Sequence, residues 1–402
     1  MKKLFLFLIT MLMALPCFAQ KFEGLALTPP MGWNSWNRFA CDVNEKLIKE
    51  TADAMVTTGM KDAGYIYINI DDCWQGKRDE QGFIQPDPKR FPSGMKALAD
   101  YIHSLGLKFG IYSDAGWKTC AGFPGSRGYE YQDAMQYAKW GVDYLKYDWC
   151  NTDGLNERGA YLTMRDALRA AGRPIVLSIC EWGNSKPWTW AKDIGHSWRI
   201  SGDIAPLFDG EEGHGSWSSW GVVQILNMHE DIRAFSGPDH WNDFDMMEVG
   251  NGMTQVEDHA HFALWCMMAS PLMAGNDIRN MSKETLEILT SKEVIAVNQD
   301  PLGIQGFRYL KTNDLEIWAK PLKDGALALC FLNRGTSSMN VEYEWEKHVV
   351  KDDFAHMHYY FNQKAYVVRD LYAKKDIGTT KDVLKRRLES HDVIMLKLTP
   401  KK

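Results

Sequence analysis

Gly141-Val142-Asp143-Tyr144-Leu145-Lys146-Tyr147-Asp148-Trp149-Cys150 is the stretch on which the reading of this chain turns. Gly141 to Tyr147 is a strand-like run that ends on a carboxylate set between aromatic and cationic neighbours. A carboxylate at the end of an apolar strand is costly to desolvate unless it is paired or used. The pattern recurs along the chain, each time where an apolar run stops. Trp33-Asn34-Ser35-Trp36 closes the first run, and Tyr65 to Ile70 leads into Asp71-Asp72-Cys73-Trp74. Later runs end in Tyr112-Ser113-Asp114, Cys180-Glu181-Trp182, Trp198-Arg199 through Asp203, and Trp241-Asn242-Asp243-Phe244-Asp245.

Outward from these ends, strands are predicted to begin near Met31, Tyr65, Leu107, Val142, Pro174, Ser197, His240 and Met268. Helical patterns lie between them. Asn44 is placed to cap a helix carrying Leu47, Ile48, Ala54 and Met55. Ser93 is placed to cap one with Leu98, Ile102 and Leu105, closed by Gly106. Thr254 and Glu257 have capping-box spacing before Phe262 and Leu264. Ser282 opens a last helix running through Leu286, Leu289 and Ile295. Strand and helix alternating between Pro30 and about Asp300 match an α/β fold, a (β/α)8 TIM barrel, in which the strand C-terminal ends converge on one mouth. A doubly wound sheet shares this periodicity and stays open as an alternative.

The character changes after Pro301-Leu302-Gly303. Leu315 to Ala319, Ala326 to Leu329 and Asp392 to Leu396 are short runs between polar turns, without helical spacing, and read as a small C-terminal antiparallel β-sandwich. At the other end, Lys2 and Lys3 precede an apolar run from Leu4 to Ala14, too short to span a bilayer, and Cys17-Phe18-Ala19 ends small. The expected divisions are a signal peptide over 1–19, the barrel over 20–303 and the sandwich over 304–402. The protein is therefore expected to be secreted or periplasmic. Acylation at Cys17 is the lesser alternative, since Pro16 sits badly for it.

The 402 residues are 45% hydrophobic and 24% charged, which is ordinary globular composition, so partners must be read from finer features. A net charge of −6 argues against nucleic acid or an anionic membrane surface. Sixteen Trp residues are a surplus that suits a core and equally suits sugar rings, whose C–H faces stack on aromatics. Of the cysteines, Cys41, Cys73, Cys120 and Cys150 lie near motif ends and are the disulfide candidates, while Cys180, Cys266 and Cys330 lie in apolar runs as buried thiols.

A mouth lined with carboxylates, Trp and a few cations suits a neutral polyhydroxylated substrate. Carboxylates accept paired hydrogen bonds from vicinal hydroxyls, and Trp covers the apolar ring face. Glycoside hydrolysis requires one ionised and one protonated carboxyl. Lys146 beside Asp148 favours its ionised form, and Asp203 would need a raised pKa, which Asp243 and Asp245 would supply if close. Each signal also has a plainer reading. Asp71-Asp72 fits a turn and helix cap, Lys146 with Asp148 a structural ion pair, and Arg199 with Asp203 a surface one. Asp239, Asp243 and Asp245 lack the glycine and terminal Glu of a calcium hand, and His259 and His261, two apart on a helix, diverge. No metal and no cofactor is expected.

Taken together, the chain resembles the retaining α-galactosidases of glycoside hydrolase family 27, which also holds α-N-acetylgalactosaminidases. Pro30-Met31-Gly32-Trp33-Asn34-Ser35-Trp36, Asn69 to Trp74, Leu145 to Asp148, Cys180 to Gly183, Trp198 through Asp203, Trp241 to Met246, and Asn298-Gln299-Asp300-Pro301-Leu302-Gly303 carry the resemblance in order, over about residues 25 to 305. It implies Asp148 as nucleophile and Asp203 as general acid, then base. It implies Asp71 and Asp72 on the 4- and 6-hydroxyls of galactose, and Lys146 on the 3-hydroxyl. Arg199 and the segment Cys180, Glu181, Trp182 would face the 2-hydroxyl, with Trp36, Tyr112 and Asp245 completing the pocket. It implies the disulfides Cys41–Cys73 and Cys120–Cys150. Glu181 stands where the acetamido-sugar enzymes have small residues, and Asp71 where the family's β-L-arabinopyranosidases have Glu. Both favour galactose with a free 2-hydroxyl. The expected substrates are α-galactoside oligosaccharides of the raffinose type or galactomannan side chains. The rivals are a β-L-arabinopyranosidase, a non-catalytic carbohydrate-binding barrel and a metal-dependent hydrolase.

Overall fold

The computed structural model describes residues 20–228 and 230–401; the expected leader, residues 1–19, and Cys17 with it, lie outside them. Eight parallel strands form the main sheet: Met31–Asn34, Tyr67–Ile70, Lys108–Asp114, Tyr144–Asp148, Val176–Cys180, Ser197–Arg199, Trp241–Asp243 and Leu272–Ala274. Each pairs with its sequence neighbours through the seventh strand, and the eighth pairs with the first. A parallel bridge between Met247 and Ala274 links the segment after the seventh strand to the eighth and closes the ring. The doubly wound alternative is thereby set aside in favour of the TIM barrel.

Alternation along the strands sorts the side chains. In the fourth strand Leu145 and Tyr147 join the large core between sheet and helices, whereas Tyr144 joins Tyr67, Val176, Met246 and Met273 in a separate inner cluster that plugs the barrel. Lys146 and Asp148 share Tyr144's parity and so lie above that plug, toward the mouth.

Helix ends follow their caps closely. Asn44 accepts the Leu47 amide over Glu45–Thr57, and Thr254 with Glu257 forms the full capping box of Gln255–Met268. Three expectations shift. Ser93 stands at the start of Gly94–Ser104, but its own helical backbone angles leave its side chain without a capping bond. Met268 is the last residue of a helix, and the eighth strand begins four residues later at Leu272. The helix opened by Ser282 breaks at Thr290-Ser291 into Lys283–Leu289 and Lys292–Asn298.

The C-terminal part holds a six-stranded antiparallel sheet with smaller two-stranded pieces. Both faces of its central strands are buried. Ile317, Ala319, Leu329 and Phe331 face the sandwich interior, while Trp318, Ala328, Cys330 and Met395 belong to the barrel's core. Helix Gln255–Met268 packs against this outer face, which explains why Phe262 to Met268 is apolar all round. Polar ties flank the contact: Arg233 grips Asp352, Arg369 pairs with Glu293, and His391 meets Glu257 at 2.8 Å. Lys320 reaches from the sandwich into the contact. It donates to the carbonyls of Cys266 at 3.1 Å and Val297 at 2.7 Å, each in the last turn of a helix, where positive charge and donors are favoured.

Burial pushes the Lys320 amine down to about 8 from an ordinary 10.5. Between those values the unfolded chain binds the extra proton, so Lys320 makes stability rise as pH rises from about 8 to 10.5. Lys320→Ala is expected to cost about 2–4 kcal/mol in urea unfolding through the lost bonds and the void left behind. Lys320→Met should lose the alkaline rise expected of the wild type; equal slopes in the two proteins would refute this account.

Candidate active site

Strand register sets the floor of the site. Asp114 pairs with Asp148 and Asp148 with Cys180 across the third, fourth and fifth strands, one step above the rank Tyr112, Lys146 and Ser178. Carboxylate, carboxylate and thiol thus stand side by side at the mouth, over phenol, amine and hydroxyl. Just beyond the strand ends, Cys73, Asn151, Trp182 and Asp245 all hold positive φ, a conformation unfavourable for non-glycine residues that recurs where loops must turn sharply into a site.

Two cations organise the carboxylates. Lys146 Nζ lies 2.9 Å from Asp71 Oδ2, which also accepts from Asn34 Nδ2 at 2.8 Å. The Asp71 amide donates to Ser35 Oγ. Asp72 accepts the amides of Cys73 and Ala121, and burial raises its pKa. Burial opposes the charge on Lys146, but Asp71, then Asp148 and Asp203, outweigh it and hold the ammonium form. On the opposite side Arg199 forks between Asp245 Oδ2 at 2.8 Å and Asp203 Oδ1 at 3.0 Å. Asp245 is fixed in turn by the amides of Ile204 and Met246.

The carboxyls expected to act together differ in depth. Asp148 is 5% exposed, whereas the Asp203 side chain is 37% exposed at the rim. Their protonation reverses the sequence expectation. Burial lifts Asp148 to about 6 despite Lys146, with Asp203 adding to the rise. Burial also acts upward on Asp203, but Arg199 and then Lys146 draw it below the ordinary value. Asp243 and Asp245 do not raise Asp203 as expected, because the Arg199 guanidinium stands between Asp203 and Asp245 and binds both.

A cavity of about 710 Å³ opens over this floor. Trp36, Asp71, Asp72, Tyr112, Lys146, Asp148, Trp182 and Asp203, all singled out from the sequence, line it. Cys180, Glu181, Arg199 and Asp245 do not. Arg199 and Asp245 border a small polar void of about 20 Å³ beneath, together with Asn69. Glu181 is fully buried, takes the Ser185 amide on Oε2 and is raised to about 7 by burial. Cys180 lies 3.8 Å from Arg199 and stays a thiol, its pKa lifted by burial. Both expected disulfides are present, Cys41–Cys73 and Cys120–Cys150, and the second contributes both its cysteines to the cavity wall.

Two features escaped the sequence reading. Asp114 stood among the strand ends without a role. It is buried, accepts the amides of Gly116 and Cys150, and is raised to about 8, first by burial and then by Asp148. It thereby ties the loop after the third strand to the residue two past Asp148. With Cys120 and Cys150 it forms a cluster of metal-ligand types, but the two sulfurs are bonded to each other. The second is a hairpin, Glu211–Gly213 with Ser218–Trp220, which brings Ser216, Trp217, Ser218 and Trp220 to the cavity. Its strands are three residues long, too short for alternation to announce them; the Trp pair was the available signal.

Residues 28–300 match the family described as alpha galactosidase A, and residues 312–398 the alpha galactosidase C-terminal beta sandwich domain. Alpha-galactosidase A of Cellvibrio japonicus is 58% identical over 391 residues, covering 97% of this chain and 96% of that protein. The structure of an α-galactosidase from Saccharomyces cerevisiae with raffinose superposes with a TM-score of 0.88 at 32% identity, over 95% of this chain and 100% of that one. A β-L-arabinopyranosidase of family 27 from Geobacillus stearothermophilus is more distant, with a TM-score of 0.80 at 26% identity, over 93% of this chain and 97% of that one. Matched through both domains, this chain belongs to the α-galactosidase family, glycoside hydrolase family 27.

Proposed function

We infer that the protein is a retaining α-galactosidase, which removes terminal non-reducing α-D-galactosyl residues by double displacement. The observation that carries this reading is one cavity with a deep carboxylate, Asp148, and a rim carboxylate, Asp203, above a fixed group of Asp71, Asp72 and Lys146. Asp148 attacks the anomeric carbon from the β face while Asp203 gives its proton to the departing oxygen. The C–O bond to the leaving group breaks as the bond to Asp148 forms, leaving a β-linked galactosyl-enzyme. Asp203, now ionised, takes a proton from water, which displaces Asp148 and restores the α-anomer. Arg199 and Lys146 stabilise Asp203 in the ionised form that this second step starts from.

Galactose differs from glucose by its axial 4-hydroxyl. Asp71 and Asp72 offer acceptors for that hydroxyl and for the 6-hydroxyl, and Lys146 a donor for the 3-hydroxyl. Trp182 presents the wall for the 2-hydroxyl, while Cys180, Glu181 and Arg199 stay outside the cavity lining. Raffinose-type oligosaccharides and galactomannan side chains have the terminal α-galactosyl group this pocket would take. No cofactor enters the scheme. Two disulfides support export to a secreted or periplasmic location, since such bonds persist in oxidising compartments. Among the described residues no helix is long and apolar enough to cross a membrane.

The decisive assay is p-nitrophenyl α-galactoside beside p-nitrophenyl β-L-arabinopyranoside; inertness toward both would sink the glycosidase reading. The galactoside should be preferred at least tenfold, and Asp71→Glu should narrow or invert the ratio by filling the space of the hydroxymethyl group. Asp148→Gly should lose at least about 10³-fold in kcat, and added azide should restore turnover as β-galactosyl azide, the product of a single inversion. Free galactose released as the β-anomer by the wild type would exclude retention. The active form holds one proton between Asp148 and Asp203. It therefore exists from below the usual carboxyl range up to about 6, so kcat/KM should be bell-shaped and fall as pH rises through about 6. A profile flat from pH 5 to 8 would contradict the assignment.

A further inference from the structure

We propose that Trp217 is the platform for the sugar that leaves, forming a subsite beside the galactose pocket that takes a second hexose ring through its apolar C–H face. The proposal rests on the glycosidase reading above. Because Asp203 must hand its proton to the glycosidic oxygen, the leaving group has to lie on the Asp203 side of the cavity. The wall on that side is the hairpin, and the hairpin is built onto the acid itself. The Trp220 amide donates to the Asp203 carbonyl at 2.8 Å, Ala205 donates back to the Trp220 carbonyl at 2.9 Å, and Ile204 and Trp220 form a parallel bridge.

Trp217 sits at the turn of this hairpin and lines the cavity, yet 51% of its surface is uncovered. It is not a loose surface aromatic. The His214 ring packs on it with centroids 4.1 Å apart at 32°, the His214 amide donates to the Trp217 carbonyl at 2.8 Å, and His214 Nε2 pairs with Ser219 Oγ at 3.0 Å. The indole is thus held by its neighbour while half of it stays open. Ser216 and Ser218 flank it on the cavity wall and offer hydroxyls to a ring stacked there. The cavity, about 710 Å³, lies in the range that encloses ligands much larger than one hexose, so a galactosyl unit held by Asp71, Asp72 and Lys146 leaves this end unfilled. A large aromatic carries binding area at small entropy cost, which makes it the suitable side chain for a ring that must be held and then released.

The test compares kcat/KM for melibiose, whose leaving group is a hexose, with methyl α-galactoside, which also needs the proton from Asp203 but has no ring to stack. In Trp217→Ala the melibiose-to-methyl ratio should fall at least tenfold, and in Trp217→Phe it should stay within about threefold of wild type. The ratio does not depend on the fraction of protein that folds. An unchanged ratio in Trp217→Ala overturns the proposal. So does an equal loss on both substrates, which would mean that Trp217 acts through Asp203. Wild-type inertness on methyl α-galactoside and melibiose alike would instead remove the glycosidase reading on which the proposal stands.

Discussion

Everything at the mouth of this barrel depends on the sharing of two cations, Arg199 buried and Lys146 largely so, among many buried carboxylates. Asp71, Asp72, Asp114, Asp148, Asp243 and Asp245 are all withdrawn from solvent, and against them stand Lys146 and Arg199. Such a crowd cannot be fully ionised, because unpaired buried charge is expensive and like charges at short range cannot both persist. The settlement is uneven. Arg199 and then Lys146 draw Asp203 below the ordinary carboxyl value, whereas burial and then Asp148 lift Asp114 to about 8. The chemistry assigned to Asp148 and Asp203 is a matter of moving one proton across that divide, so the sugar's hydroxyls and the exclusion of water at binding have only a small imbalance to tip.

Much of this is legible in the sequence, for a physical reason. Strand periodicity is two, so a run such as Tyr144-Leu145-Lys146-Tyr147-Asp148 states both that it is a strand and which residues share its inner face. Seven of the eight onsets, the Asn44 cap and the Thr254–Glu257 box were readable for the same reason, since each is a local rule with a local signature. What the sequence withheld is set by contacts between distant segments. Arg199 and Asp203 are readable as an ion pair, but nothing nearby announces that the same guanidinium also binds Asp245. The loop-borne hairpin with Trp217 has no period to read. Met268 carried the right hydrophobicity for a strand and was claimed by a helix, because apolar runs alone do not choose between them. The break at Thr290-Ser291 lies inside a pattern that a continuous helix fits equally well.

The same limit applies to the barrel layer around helix Gln255–Met268. An all-round apolar helix declares that it is buried but not by what. The answer is a sheet from another part of the chain, whose central strands spend one face on their own sandwich and the other on the barrel. Lys320 threads this contact to the ends of two helices.

That shared layer bears on how the two halves live together. A barrel whose outer helix is finished by a foreign sheet is not a free-standing unit with an accessory attached. Its hydrophobic interior is completed only when the last hundred residues have arrived, so on a ribosome the catalytic half must wait, partly uncovered, for the tail. Gene rearrangement is constrained in the same way. The sandwich cannot be swapped for an unrelated module without re-covering the helix, which gives a reason of packing, rather than of substrate, for a barrel and a sandwich of this kind to be inherited as a pair.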